Sequence, residues 1–588
     1  YLPNYLNFAI RQGLINLFKR KGYDMDQSHE QTGAESLLDG LSLSGIQYMF
    51  ANAGTDFPPI IEALARRDPS AAPVALTIPH ETAAVAMAHG AYLVTGRAQA
   101  VMVHVNVGLA NSVMGVINAA SDNIPMLVMS GRTPISERGR KGARMTPIQY
   151  GQEMFDQTSL VRDLVKYSYE MRYPEQGKQL VMRAMSLATS EPQGPVYLSL
   201  PKEPLSEIVP ETTQTHHPMP PSATKILPDP EAIIKLARLL ETASNPVIIC
   251  QRGDTEGRLS RALSTLAAKH GIAVFEPFLL RNVLPSNDPA LQGYHASGPS
   301  DADLIIVLDS DTPWIEATNA PGPETIVVHI GPDPHFARMP VRGFRTDLAI
   351  SSDSVEAILA VDREARAPSA ALQRSKALAQ SATQRRDAAQ VKAKAGDTNP
   401  MSAEWISHCV SEIMDEEAVA FSELGLLPAY MTLKGPNRLF NNVHAGGLGW
   451  AMPAALGAQL MRPDRLTIAC MGDGSYMFAN PVACHQIAEA LRLPILTIIK
   501  NNAMWNAVRR SVVNGYPDGS AAMSNTVPLT SLEPLPDFAA IARASRAHAE
   551  RIEDGRELPA ALQRAVGIIR TEKRQVLLDL RCAVSDMH

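Results

Sequence analysis

Leu466-Thr467-Ile468-Ala469-Cys470 runs directly into Met471-Gly472-Asp473-Gly474-Ser475. A second apolar run, Ile495-Leu496-Thr497-Ile498-Ile499, ends in Lys500-Asn501-Asn502. Both runs are short and apolar throughout, and an Ala-rich helical stretch separates them. A continuous apolar strand between helices belongs to a parallel sheet covered on both faces. Such sheets bind ligands at the carboxyl ends of their strands, which is where the glycines and the Asp and Asn residues fall here.

Working outward from this pair, the same pattern recurs along the chain. Gln575-Val576-Leu577-Leu578-Asp579-Leu580 supplies another strand near the end. Toward the N-terminus, Ile46–Phe50, Ala100–Val105, Met126–Met129 and Val196–Leu200 form one set, and Pro246–Cys250, Leu304–Leu308 and Ile326–Ile330 another. The fold class is α/β, with three parallel-sheet domains, the first and third similar in kind. The expected divisions are an arm over 1–30, a first domain over 31–210 and a Pro-rich linker over 211–229. A middle domain over 230–362, an Ala/Gln/Lys/Arg-rich helical connector over 363–398 and a third domain over 399–588 complete the chain. Tyr5 to Lys21 in the arm has the pattern of an amphipathic helix, read as packing on another subunit.

Composition narrows the function classes. The 588 residues carry a formal net charge of only −6, with 45% hydrophobic and 19% charged residues. No basic field points to nucleic acid, and no acidic excess points to disorder. No run of about 18 apolar residues marks a membrane span. Five cysteines, Cys250, Cys409, Cys470, Cys484 and Cys582, are scattered without a CxxC pair, which suits a reducing, cytoplasmic setting. The expectation is a cytoplasmic enzyme acting on a small molecule.

The chemistry begins at Gly472-Asp473-Gly474-Ser475. Glycines let the backbone approach a phosphate, and a following helix start favours an anion. Asp473 and Asn502 offer hard oxygen ligands suited to Mg²⁺, which also accepts diphosphate oxygens. Elsewhere Pro79-His80-Glu81-Thr82 opens a helix, and Gly446-Gly447-Leu448-Gly449-Trp450 precedes an Ala-rich one.

Together these motifs resemble the thiamine diphosphate (ThDP) enzymes of the acetolactate synthase and pyruvate decarboxylase superfamily. The resemblance implies Mg²⁺ held by the side chains of Asp473 and Asn502 and by the carbonyl of Met504. Asp473 and Asn502 are 29 positions apart, slightly longer than the family spacing, with the extra residues expected in a loop between Tyr476 and Pro481. It further implies that Glu81 shares a proton with the cofactor's aminopyrimidine. Leu448 would support the bent cofactor, and the Gly446 carbonyl would meet its exocyclic amine. Gly472, Gly474, Ser475 and the Ser422-Glu423-Leu424-Gly425 turn would lie near the diphosphate. The first, middle and third domains would be the pyrimidine-binding, Rossmann-like and diphosphate-binding domains. Some members bind FAD, ADP or CoA in the middle domain; no GxGxxG stands here, so that question stays open. Because Glu81 and Asp473 would come from different chains, a homodimer or homotetramer with sites at the subunit interface is expected.

Within that superfamily the look is nearest to benzoylformate decarboxylase. His104, 23 residues after Glu81, matches its active-site histidine, and an imidazole there suits proton transfer near neutral pH. Thr55 matches a substrate-facing serine. The family's second histidine has no counterpart, since Asp311-Thr312-Pro313-Trp314-Ile315 looks different. His444, Trp505 and Asn506 are further candidates for the pocket wall. The implied activity is a decarboxylase, lyase or carboligase on a 2-oxo acid or 2-hydroxyacyl compound. An acetolactate synthase-type carboligase and a 2-hydroxyacyl-CoA lyase are the nearest alternatives. A nucleotide-dependent oxidoreductase and a non-catalytic homologue are the remote ones.

Overall fold

The structure is a computed structural model and describes residues 30–68, 73–211, 221–295, 301–524 and 526–584. The expected amphipathic helix of the arm lies outside these residues, as does much of the Pro-rich linker.

Three six-stranded, all-parallel sheets carry the chain. The first contains β1 (Tyr48–Ala51), β2 (Val74–Thr77), β3 (Ala100–Val103), β4 (Leu127–Arg132), β5 (Ser168–Glu170) and β6 (Val196–Pro201). The second contains β7 (Pro246–Cys250), β8 (Ala273–Phe275), β9 (Leu291–Gly293), β10 (Leu304–Leu308), β11 (Ile326–Gly331) and β12 (Leu348–Ser351). The third contains β13 (Val419–Glu423), β14 (Leu439–Asn441), β15 (Thr467–Gly472), β16 (Leu496–Asn501), β17 (His548–Ile552) and β18 (Val576–Arg581).

The first sheet runs β2-β1-β3-β4-β6-β5 and the third β14-β13-β15-β16-β18-β17. These are the same order, so the two domains share a topology. Each reverses direction between its first and third strands, and a ligand crevice opens at the carboxyl ends there. The middle sheet runs β12-β11-β10-β7-β8-β9, the dinucleotide-fold order, with its switch point between β7 and β10.

Central strands such as β3, β6, β7 and β10 are buried along their whole length, which is why they are apolar without alternation. Short strands such as β5, β8, β9 and β14 left little trace in the sequence. The connector forms a helix over Ala371–Lys394, exposed along most of its length. Among the described residues no helix is long and apolar enough to cross a membrane.

Helix α1 (Glu81–Thr95) packs lengthwise on α2 (Ala451–Met461), joining the first and third domains in one apolar core. Small residues make this possible: a Cβ at Gly457 would stand 2.0 Å from the Met87 carbonyl oxygen. The middle domain joins them through charge. Arg252 follows β7 and Asp311 follows β10, so the two flank the middle sheet's switch point. Arg252 reaches Asp311 at 3.2 Å and Asp122 of the first domain at 3.5 Å, with all three side chains buried. His89 adds a contact to Asp122 at 3.3 Å. Burial resists the Asp122 charge, but the Arg281 and Arg252 guanidinium groups and His89 hold its carboxyl down at about 2. An ion pair of the protein's own thus stands at the middle sheet's switch point.

Removing one partner of a buried pair strands the others without a counter-charge. Arg252→Met should therefore cost about 3–5 kcal/mol in urea unfolding despite its similar volume. A loss below about 1 kcal/mol would place this cluster with weak surface pairs.

Candidate active site

In the third domain the site is built at the ends of β13, β15 and β16. The β15 strand passes at Gly472 into a six-residue helix, α3 (Asp473–Phe478), so Asp473 stands at the strand end. Its Oδ1 accepts from the Gly474 amide at 2.8 Å. Its Oδ2 accepts from the amides of Asn502 (3.1 Å) and Ala503 (2.6 Å), tying the β15 end to the β16 end. The Asn502 Oδ1 accepts from the Met504 amide at 3.1 Å, and the Met504 carbonyl accepts from Asn506 at 2.9 Å. Burial pushes the Asp473 carboxyl up against the pull of the Gly474, Ala503 and Asn502 amides, and Asp579 adds a like charge. A buried carboxylate so placed favours a cation beside it. Among the described residues no cluster of three or more His, Cys, Asp or Glu side chains gathers. The oxygens here that could hold a cation are those the family resemblance implies, the Asp473 carboxylate, the Asn502 amide oxygen and the Met504 carbonyl, a set suited to Mg²⁺. Beside it Gly472 faces open space: an added Cβ would meet nothing nearer than Ser475 Oγ at 3.9 Å. Gly474 instead lies under the Trp505 indole, which meets Phe478 edge-on.

The stretch expected as a loop between Tyr476 and Pro481 is otherwise. Tyr476 to Phe478 complete α3, and Ala479 and Asn480 make the turn into the next helix.

Glu423, read from the sequence only as part of a turn near the diphosphate, holds the Leu448 turn instead. It ends β13 and is fully buried. Its carboxylate accepts from Gly449 (2.6 Å), Trp450 (2.7 Å) and Ala451 (2.8 Å), the amides that start α2. Burial pushes its carboxyl up to about 7 against the pull of these amides and of Ser475. Gly449 adopts a left-handed φ of +86°, which only glycine takes without strain. From the other side Asn118 accepts from the Gly447 amide (3.1 Å) and donates to its carbonyl (2.9 Å). Half-buried Leu448 therefore sits on a turn fixed at both shoulders, with exposed Gly446 just before it. The neighbouring turn at Gly425 packs against β15, a Cβ there standing 2.4 Å from the Cys470 carbonyl oxygen.

In the first domain, Glu81 begins α1 and is buried; its Oε2 accepts from Asn111 at 3.2 Å. The preceding His80 lies 3.4 Å from Asn480 of the third domain. His104 follows β3 and caps α4 (Val105–Ser121). Rather than bonding backbone, its Nδ1 meets Asp56 at 2.5 Å and its Nε2 meets Gln152 at 3.1 Å. The Asp56 bond lifts its pKa, with Glu81 contributing from a distance. Thr55 is exposed beside this pair. Asp56 could have been found from its place directly after Thr55; nothing local marked Gln152 or Asn118.

His444 is held between domains. Its Nδ1 meets Asp311 at 2.7 Å and its Nε2 donates to the Phe278 carbonyl at 2.9 Å. Burial disfavours the charged ring, but the Asp311 bond outweighs it and raises the pKa. A folded value above the free one, about 6.5, gives stability that is complete below that pH and lost as pH rises through the raised value. Thermal unfolding of His444→Gln should then fall below wild type near pH 6 and approach it by about pH 8.5. A gap that does not change with pH would show the ring is not charged.

Three family descriptions match the chain in order. They are the N-terminal TPP binding domain of thiamine pyrophosphate enzymes over residues 31–160, the central domain over 233–360 and the C-terminal TPP binding domain over 424–580. An acetolactate synthase large subunit of Parasynechococcus marenigrum is 25% identical, covering 92% of this chain and 87% of its own. A benzoylformate decarboxylase of Pseudomonas aeruginosa is 26% identical, covering 83% and 88%. The solved 4-hydroxybenzoylformate decarboxylase of Rhodococcus jostii shares the fold at a TM-score of 0.75 and 20% identity, covering 95% of this chain and all of that one.

Proposed function

The chain belongs to the thiamine pyrophosphate enzyme family, and we propose that it is a Mg²⁺-dependent enzyme that cleaves or forms a C–C bond in a 2-oxo acid or 2-hydroxyacyl compound. The observation that carries this reading is the pairing of Asp473 and Asn502 at adjacent strand ends, with the fixed Leu448 turn beside them. Bound ThDP supplies a nucleophilic carbon and an electron sink for the bond that breaks.

The chain's residues do the rest. Asp473, Asn502 and Met504 would hold a Mg²⁺ ion, whose charge offsets that of a diphosphate, and Gly472 leaves room beside them. Leu448 would support the cofactor from its turn, and the carbonyl of exposed Gly446 would accept from the exocyclic amine. Glu81 holds a proton at the aminopyrimidine. His104 would carry a proton at Nε2 to and from the substrate oxygen. A proton carrier at that place favours chemistry that ends in protonation, as decarboxylation to an aldehyde does.

An acid-quench mass-spectrometric screen tests the reading. The protein is incubated with ThDP, Mg²⁺ and a panel of 2-oxo acids, 2-hydroxyacyl-CoAs and cyclic diketones. A covalent ThDP adduct with one class identifies the donor, and the released product separates decarboxylation, acetolactate-type ligation and lyase cleavage. Failure to bind ThDP with Mg²⁺ overturns the roles of Asp473, Asn502 and Glu81 together.

The same reading makes each site from two chains, Glu81 facing the Asp473 of a partner copy in a homodimer or homotetramer. Glu81→Gln and Asp473→Asn should each abolish turnover. Co-expressed, they should regain about a quarter of it, because half of the mixed pairs' sites are intact and half of random pairs are mixed. No recovery would place both residues in one chain's site.

A further inference from the structure

The end of β3 carries more than a histidine. Asp56 lies on the loop after β1, and β1 and β3 flank the switch point of the first sheet. Its buried carboxylate is divided between two tasks: Oδ1 meets His104 Nδ1 at 2.5 Å, and Oδ2 accepts from the Val105 amide at 3.3 Å. Two glycines make room for it. A Cβ at Gly54 would stand 2.1 Å from the His104 ring, and one at Gly131 would stand 1.5 Å from Asp56 Oδ2. Val105 takes a φ of +25°, a conformation costly for a β-branched residue, directly after the histidine. Strain of this kind persists only where the surroundings over-determine it. Here it turns the chain so that both ring and amide reach one carboxylate.

We propose that Asp56 is a positioning residue that keeps His104 protonated at Nδ1 and ready to donate from Nε2. The inference rests on the ThDP reading above for the purpose of that proton, not for the geometry. A carboxylate against Nδ1 fixes the proton there, so the exchangeable site is Nε2. Nε2 faces the Gln152 amide at 3.1 Å. Gln152 can serve either state of the ring, its NH₂ donating to a neutral Nε2 and its oxygen, after a half-turn of the amide, accepting from a charged one. The Nε2 proton passes to the substrate oxygen, the N–H bond breaking as the O–H bond forms. The ring is left neutral with Nδ1–H still on Asp56, and it regains the Nε2 proton from solvent. The charged groups bearing on the ring are Asp56 and, farther off, Glu81, both favouring the cation.

The test is carbethoxylation by diethyl pyrocarbonate, which modifies only neutral imidazole, followed at the His104 peptide by mass spectrometry across pH. In the wild type the labelling midpoint should lie above the ordinary histidine value of about 6.5. In Asp56→Asn it should fall by about one unit or more, so that near pH 6.5 His104 labels several-fold faster while other histidines keep their rates. In Gln152→Leu the midpoint should stay raised. A wild-type midpoint at or below about 6.5, or one unmoved by Asp56→Asn, overturns the proposal, and the wild-type arm needs no variant to fold. With a donor from the substrate screen, kcat of Asp56→Asn should fall at least about tenfold and its alkaline limb should move to lower pH, with KM little changed. Absence of ThDP chemistry would sink the functional reading and leave the labelling result standing.

Discussion

A buried carboxylate satisfied by the backbone of a neighbouring turn recurs at each working end of this molecule. Asp473 takes three amides from two strand ends. Glu423 takes three from the start of α2. Asp56 takes one amide and one imidazole nitrogen. In each case the acid stands at or just beyond the end of a strand beside a sheet's switch point, and its partners come from turns at the same end of the sheet. An acid left unsatisfied at that depth would cost several kcal/mol, so the turn geometry and the acid's identity specify one another. The rest of the site follows from these seats: the Leu448 turn, the Asn502 loop and the orientation of His104.

The first and third sheets have the same strand order, and their switch points carry related devices put to different use. In the third domain the acids hold backbone, at the strand ends where the proposed reading puts the diphosphate and its cation. In the first the acid holds a side chain that titrates. The middle sheet has the order suited to a dinucleotide, yet Arg252 and Asp311 occupy its switch point and tie it to Asp122 and His444. The same topological opportunity is used there as a joint between domains.

What the sequence showed and what it hid divide along one line. The fold class was legible because buried parallel strands must be apolar along their whole length. Asp473 and Asn502 drew notice because glycines and hard oxygen side chains fall together at strand ends, whereas Leu448 drew notice only through the family resemblance. Glu423 stood in the open within Ser422-Glu423-Leu424-Gly425 and was read as part of a diphosphate loop. Its partners begin 26 residues away, on a turn whose arrival under β13 depends on the sheet order. Asp56 and His104 are 48 apart and His444 and Asp311 are 133 apart, so no local pattern links them. Expecting a middle-domain histidine drew attention away from Asp311, which offers instead a carboxylate to a histidine of the third domain.

The two histidines show how geometry separates a structural charge from a working one. At His444 both ring nitrogens face acceptors, a carboxylate and a carbonyl. Only the doubly protonated ring satisfies both, so its proton is bound into the domain interface and loss of it costs a bond. At His104 one nitrogen faces a carboxylate and the other an amide that can present either a donor or an acceptor. Protonated and neutral rings are then both accommodated, and the proton can leave and return without a buried group losing its partner. Both rings are raised in pKa by an aspartate, so the shift alone does not tell them apart. The second nitrogen does: at His444 it is tied to a carbonyl, and at His104 it faces an amide that serves either state of the ring, as the proposed proton carrier requires.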